Sequence, residues 1–77
     1  MVELSEAQEN TIRRVLKANS NGLMFSPVLA PYGQAATELA EMALVRSEPT
    51  PLGGRVYELT PAGRAWLAEK EKNNAQR

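Results

Sequence analysis

The chain contains no cysteine and no histidine. Without cysteine there is no disulfide to staple the fold and no thiolate to bind metal or attack a substrate. With histidine missing as well, the usual zinc sites and the familiar nucleophile–base pairs cannot be assembled within one chain. Aspartate is absent too, so glutamate supplies every acidic side chain. Lysine and arginine together number 9, the acidic residues also number 9, and the net charge is zero. A free-standing DNA binder is usually basic because it neutralises phosphates, so this balance argues mildly against strong non-specific DNA binding and still permits a local patch. Only one Trp and one Phe are on hand to fill a core. No run is long and apolar enough to span a membrane, and the opening Met-Val-Glu-Leu lacks the basic and apolar regions of a signal peptide. The expectation is a cytoplasmic protein, although lack of cysteine alone fits any compartment. No metal or other cofactor is implied.

What is there suits one small domain. The 77 residues leave no room for a second domain, and the core will be thin. A hydrophobic content of 43% fits a globular chain. Ser5 followed three residues later by Gln8 reads as a capping box opening a helix. Ala7, Thr11, Ile12, Val15 and Leu16 then fall on one face. Glu6 and Glu9 near its start and Arg13, Arg14 and Lys17 near its end suit the helix dipole. Asn19-Ser20-Asn21-Gly22 stops it. The stretch GLMF is too short for periodicity to decide between a small strand and a buried loop. SPVLA has room for about one helical turn before Pro31.

From Pro31, PYGQAATELAEMALV carries an apolar helical stripe rich in alanine. The period then changes. LVRSE and RVYEL read as two strands joined by the loop PTPLGG, a hairpin whose glycines can take positive φ. Tyr57 and Leu59, two apart, share the core face. Thr60-Pro61 opens a last helix running to the low seventies. Ala62, Gly63, Trp66 and Leu67 are expected to face the body, and residues 73–77 to fray.

This order, with ELAEMALV followed by GGRVYELTPAGRAWL, resembles winged-helix domains, in particular small bacterial regulators. Leu39 to Val45 and Tyr57 to Arg64 carry the likeness, and Ala43 stands where those regulators usually have Gly. The resemblance implies a single α+β winged-helix domain over 1–77, with three main helices, a reduced second helix of the helix-turn-helix, and a two- or three-stranded β-wing. It further implies double-stranded DNA as the partner, in transcriptional regulation. The helix from Tyr32 to Leu44 would enter the major groove, with Gln34, Thr37, Glu38 and Glu41 exposed. Gln34 and Thr37 are the candidate base readers. Arg46 and Arg55 flank the hairpin tip as candidate groove contacts. Arg13 and Arg14, with Lys17, are candidate phosphate contacts where they share that face.

The competing reading keeps the scaffold without DNA binding. Between Lys17 and Arg46 there is no basic residue, only Glu38 and Glu41. The apolar stretch GLMFSPVLAPY could leave a patch for a protein partner or a homodimer, as in accessory proteins of bacteria and phages, although in so small a protein core packing is the better account of it. Arginines on hairpins and helix ends are usually solvated or paired with nearby glutamates. An enzyme is not expected, because a lone Glu38–Glu41 pair at this spacing is most often solvent-facing.

Overall fold

A computed structural model describes residues 2–27 and 32–75. It is an α+β fold of three helices and a two-stranded antiparallel sheet: α1 (Glu6–Ser20), α2 (Tyr32–Glu41), β1 (Val45–Pro49), β2 (Arg55–Leu59) and α3 (Pro61–Ala75). The turn expected over SPVLA and the start at Pro31 fall on residues 28–31, outside the described residues, apart from Ser26 and Pro27.

α1 begins as its capping box dictates. The Ser5 hydroxyl accepts from the Gln8 backbone N–H at 3.2 Å, and the Gln8 side chain accepts from the Ser5 N–H at 3.0 Å. Two of the helix's orphan donors are thereby satisfied. Thr11, Ile12 and Val15 are buried along one face. Gly22, at φ 77°, turns the chain out of the helix. Asn19 does more than end it. Its amide donates to the Leu23 carbonyl at 2.9 Å, and its oxygen accepts from the Leu59 N–H at 2.9 Å, fastening the helix end to β2. Asn19→Ala would leave the Leu59 N–H without a partner, so a loss of about 1–3 kcal/mol is expected. Faster hydrogen exchange at the Leu59 amide, alongside a lower melting temperature, would be the signature. Unchanged exchange there would show that the bond contributes nothing.

GLMF forms neither a full strand nor a loose loop. Phe25 makes one antiparallel bridge with Tyr57, its N–H donating at 2.9 Å and its carbonyl accepting at 2.8 Å. A single residue therefore continues the sheet beyond β2.

α2 stops at Glu41, three residues short of the expected Leu44. The Ala43 N–H donates to Ala40 O, and the Leu44 N–H donates to Leu39 O, each at 3.0 Å. These two bonds make a Schellman ending, with Leu39 and Leu44 both in the core. Ala43 holds the left-handed position at φ 62°, which glycine would take more cheaply. Ala43→Gly is therefore expected to stabilise the fold by about 0.5–1 kcal/mol, the strain relieved less the added freedom of the unfolded chain. Denaturant melting checks this, and a drop in stability would mean that the strain is not there.

The strands pair Val45 with Leu59, Ser47 with Tyr57 and Pro49 with Arg55 on one face, and Arg46 with Glu58 and Glu48 with Val56 on the other. Val45, Tyr57 and Leu59 are buried against Ile12 and Val15 of α1, Ala36 and Leu39 of α2, and Trp66 and Leu67 of α3. Trp66 is core, and its ring N–H donates to the Val2 carbonyl at 2.7 Å. Gly63 is buried as expected, whereas Ala62 is exposed, because helical periodicity turns it away once Gly63, Trp66 and Leu67 face inward. Among the described residues no helix is long and apolar enough to cross a membrane.

Candidate nucleic-acid interface

The exposed flank of α2 carries Gln34, Thr37 and Glu41, spaced as one stripe along a helix. The Gln34 amide reaches Glu38 only at 3.5 Å, so it stays available. Thr37 donates to the Gly33 carbonyl at 3.0 Å and lies 3.5 Å from the Tyr57 hydroxyl. Glu38 does not belong to the open flank, contrary to expectation. It is half-buried, and one carboxylate oxygen accepts from the Gln8 side chain of α1 at 3.0 Å. The capping residue of α1 thus ties Glu38 between the two helices. Glu41 is the one carboxylate left on the stripe.

The hairpin separates its two arginines. Side chains alternate along a strand, so the register puts Arg55 on the face of Ser47, Tyr57 and Leu59, and Arg46 on the opposite face. Arg46 is occupied there. Its Nε donates to Glu58 at 2.6 Å, and a terminal guanidinium nitrogen lies 3.0 Å from Glu48. The hydrogen bond to Glu58, followed by the charges of Glu58 and Glu48, raises the Arg46 pKa above its already high ordinary value. Arg55 bonds only the Ser47 hydroxyl, at 3.1 Å, and among the described residues it meets no carboxylate. Between them the tip is held by bonds from the Thr50 N–H to Gly54 O and from the Gly53 N–H to Thr50 O, each 3.1 Å. Gly53 and Gly54 take φ 92° and 82°, so the turn needs glycine there.

The α1 arginines also part company. Arg13 lies 3.1 Å from Glu9 and 3.1 Å from Glu71 of α3, a tie between helices. The Glu9 hydrogen bond, opposed by burial and helped by Glu71, raises its pKa. Arg14 instead lies over the Tyr32 ring, 4.5 Å from the centroid. Among the described residues neither Arg14 nor Lys17 has a carboxylate partner. Both line an open groove of about 460 Å³ with Asn10, Arg13 and Tyr32.

Of the six residues singled out from sequence, Thr37 and Arg55 come to one side through Tyr57 and Ser47, with Gln34 a turn away. Arg14 stands at the N-terminal end of α2, while Arg13 and Arg46 are held in ion pairs. Asn10 and Tyr32 were missed, because the groove that unites them with Arg14 spans two helices and leaves no spacing signal. Arg14, Lys17 and Arg55 are cations of this arrangement that meet no carboxylate among the described residues. Among the described residues no cluster of three or more Glu side chains is placed to hold a metal ion. The chain matches no family model, no curated protein and no solved structure.

Proposed function

We propose that this α+β chain is a winged-helix domain that binds duplex DNA, as a small transcriptional regulator or accessory factor. The order of elements supports the fold: a helix, the Phe25 bridge, α2, a hairpin whose second strand lies between β1 and Phe25, and a closing helix. In this reading α2 meets the major groove, and the hairpin is the wing.

One observation carries the DNA reading. The exposed Thr37 of α2 reaches the Tyr57 hydroxyl at 3.5 Å, and Arg55, on that same face of the hairpin, has no carboxylate partner among the described residues. A helix flank with Gln34 and Thr37 and a hairpin arginine therefore address one side together. Glutamine and threonine can read base edges, and arginine suits phosphates or a narrow minor groove.

The test is an amide-resolved NMR titration with mixed-sequence duplex DNA at low salt. Shifts are expected at Gln34, Thr37 and Gly53 to Arg55, fading as salt is added. If those amides stay still at about 10⁻⁴ M duplex, where non-specific binding is substantial, the DNA reading is lost.

A protein-binding role is the second reading. It is favoured by the ion pairs that occupy Arg13 and Arg46 and by two exposed leucines, Leu52 at 99% and Leu23 at 64% exposure. Silence of the α2 amides toward DNA would move the search to a partner at those leucines.

A further inference from the structure

The groove between α1 and the start of α2 is cationic for a reason that the fold itself does not use. Asn10, Arg13, Arg14 and Lys17 recur at helical spacing on one face of α1, and Tyr32 closes the groove from α2. Arg13 is spoken for by Glu9 and Glu71. Arg14 and Lys17 are exposed, and among the described residues no carboxylate pairs with either. Glu9 and Glu71 meet the groove only through Arg13, and Glu6 lines the adjoining recess with Ala7, Asn10 and Tyr32. Two uncompensated cations three residues apart repel each other, so an anion between them would be held by both. The Tyr32 ring, 4.5 Å from the Arg14 guanidinium, fixes its position and leaves its outer N–H groups free to donate. The positive end of the α2 dipole lies on the same side.

We propose that this groove seats a phosphodiester: Arg14 and Lys17 grip one backbone phosphate of the bound duplex, with the Asn10 amide as a neutral donor. The proposal rests on the DNA-binding reading and adds to it a contact outside α2 and the hairpin. It also sorts the two α1 arginines, with Arg14 binding and Arg13 structural.

The experiment measures duplex affinity by fluorescence anisotropy across a salt series for the parent chain, Arg14→Gln/Lys17→Gln, and Arg13→Gln. Each phosphate contact removed should flatten the slope of log K against log salt by about 1, so the double variant, which loses the one phosphate that both side chains grip, should be shallower by about 1. Arg13→Gln should melt lower and keep the parent slope. The charge-conserving Arg14→Lys/Lys17→Arg variant should restore most of the slope. In parallel, pyrophosphate alone is titrated against the parent and should shift the amides of Asn10 to Lys17 and Tyr32, but not those of the double variant. A folded double variant that keeps the parent slope overturns the proposal. Pyrophosphate shifts without any duplex binding would overturn the DNA reading and make a free phosphate compound the occupant. Duplex binding at α2 with a silent groove would remove the seat and leave that reading intact.

Discussion

A Gly63→Ala variant is expected to melt at least about 12 °C below the parent, corresponding to a loss of about 3 kcal/mol or more. Helix propensity predicts the reverse. In an unencumbered helix, alanine for glycine is worth about 1 kcal/mol of stabilisation. What decides is the space at that position. A Cβ on Gly63 would lie 2.0 Å from the Leu44 carbonyl oxygen, 3.0 Å from its carbon and 3.1 Å from the Leu59 side chain. The carbonyl cannot swing aside cheaply. It accepts the Thr60 N–H at 3.2 Å, while the Leu44 N–H is committed to Leu39 O at 3.0 Å. Thr60 binds the joint a second time, its hydroxyl donating to Ala43 O at 2.7 Å and accepting the Gly63 N–H at 3.1 Å. The end of α2 and the beginning of α3 are thus laced through four neighbouring residues, and a methyl group can enter only by prising them apart. Thermal melting of Gly63→Ala beside Ala65→Gly separates the effects. The latter sits on an exposed position of the same helix and should cost only about 1 kcal/mol. A stabilised Gly63→Ala would show that α3 does not pack against Leu44 as described.

The same joint shows which features were legible in the sequence. Thr60-Pro61 announced a capped helix, and the Ser5–Gln8 pair announced another, because capping is a contact between near neighbours. The alternation of Tyr57 and Leu59 gave the buried face of β2, and with it the side on which Arg55 stands. The side taken by Arg46 depended on the hairpin register, which is a relation between strands. Phe25 could not be assigned, since a single bridging residue has no period. Asn19 looked like a helix stop. Its bond to the Leu59 N–H spans 40 residues and exists only once the fold has formed. The ion pair of Arg13 with Glu71, 58 residues away, is of the same kind. Both the missing groove partners and the occupied arginines therefore follow from one cause: charge and hydrogen-bond partnerships across elements are tertiary facts. The positive φ of Ala43 is different. It is a left-handed turn that glycine would take more cheaply, and an alanine in the sequence gives no local sign of it.

Charge is where sequence and structure pull apart most, and it yields the prediction with the largest effect on binding. Arg55→Glu is expected to lower duplex affinity on the order of 100-fold at low salt, since it sets a like charge against the phosphates, a juxtaposition that costs several kcal/mol. Arg46 gives the contrast. It flanks the same tip but lies on the opposite face, between Glu48 and Glu58. Arg55→Gln and Arg46→Gln each remove one positive charge, so they weaken long-range attraction alike. A difference between them isolates local contact. Arg55→Gln should flatten the salt slope by about 1, the loss of one phosphate contact, and Arg46→Gln should leave the slope near the parent value. Arg46→Gln would instead leave Glu48 and Glu58 unneutralised, and its effect should appear in the stability of the hairpin. Should the two variants lose affinity equally, the duplex would be responding to net charge alone, and the shared side formed by Thr37, Tyr57, Ser47 and Arg55 would not be its docking face. Should Arg46→Gln prove the more damaging, the hairpin would meet DNA through its outer face, with the Glu48 and Glu58 pairs broken on binding.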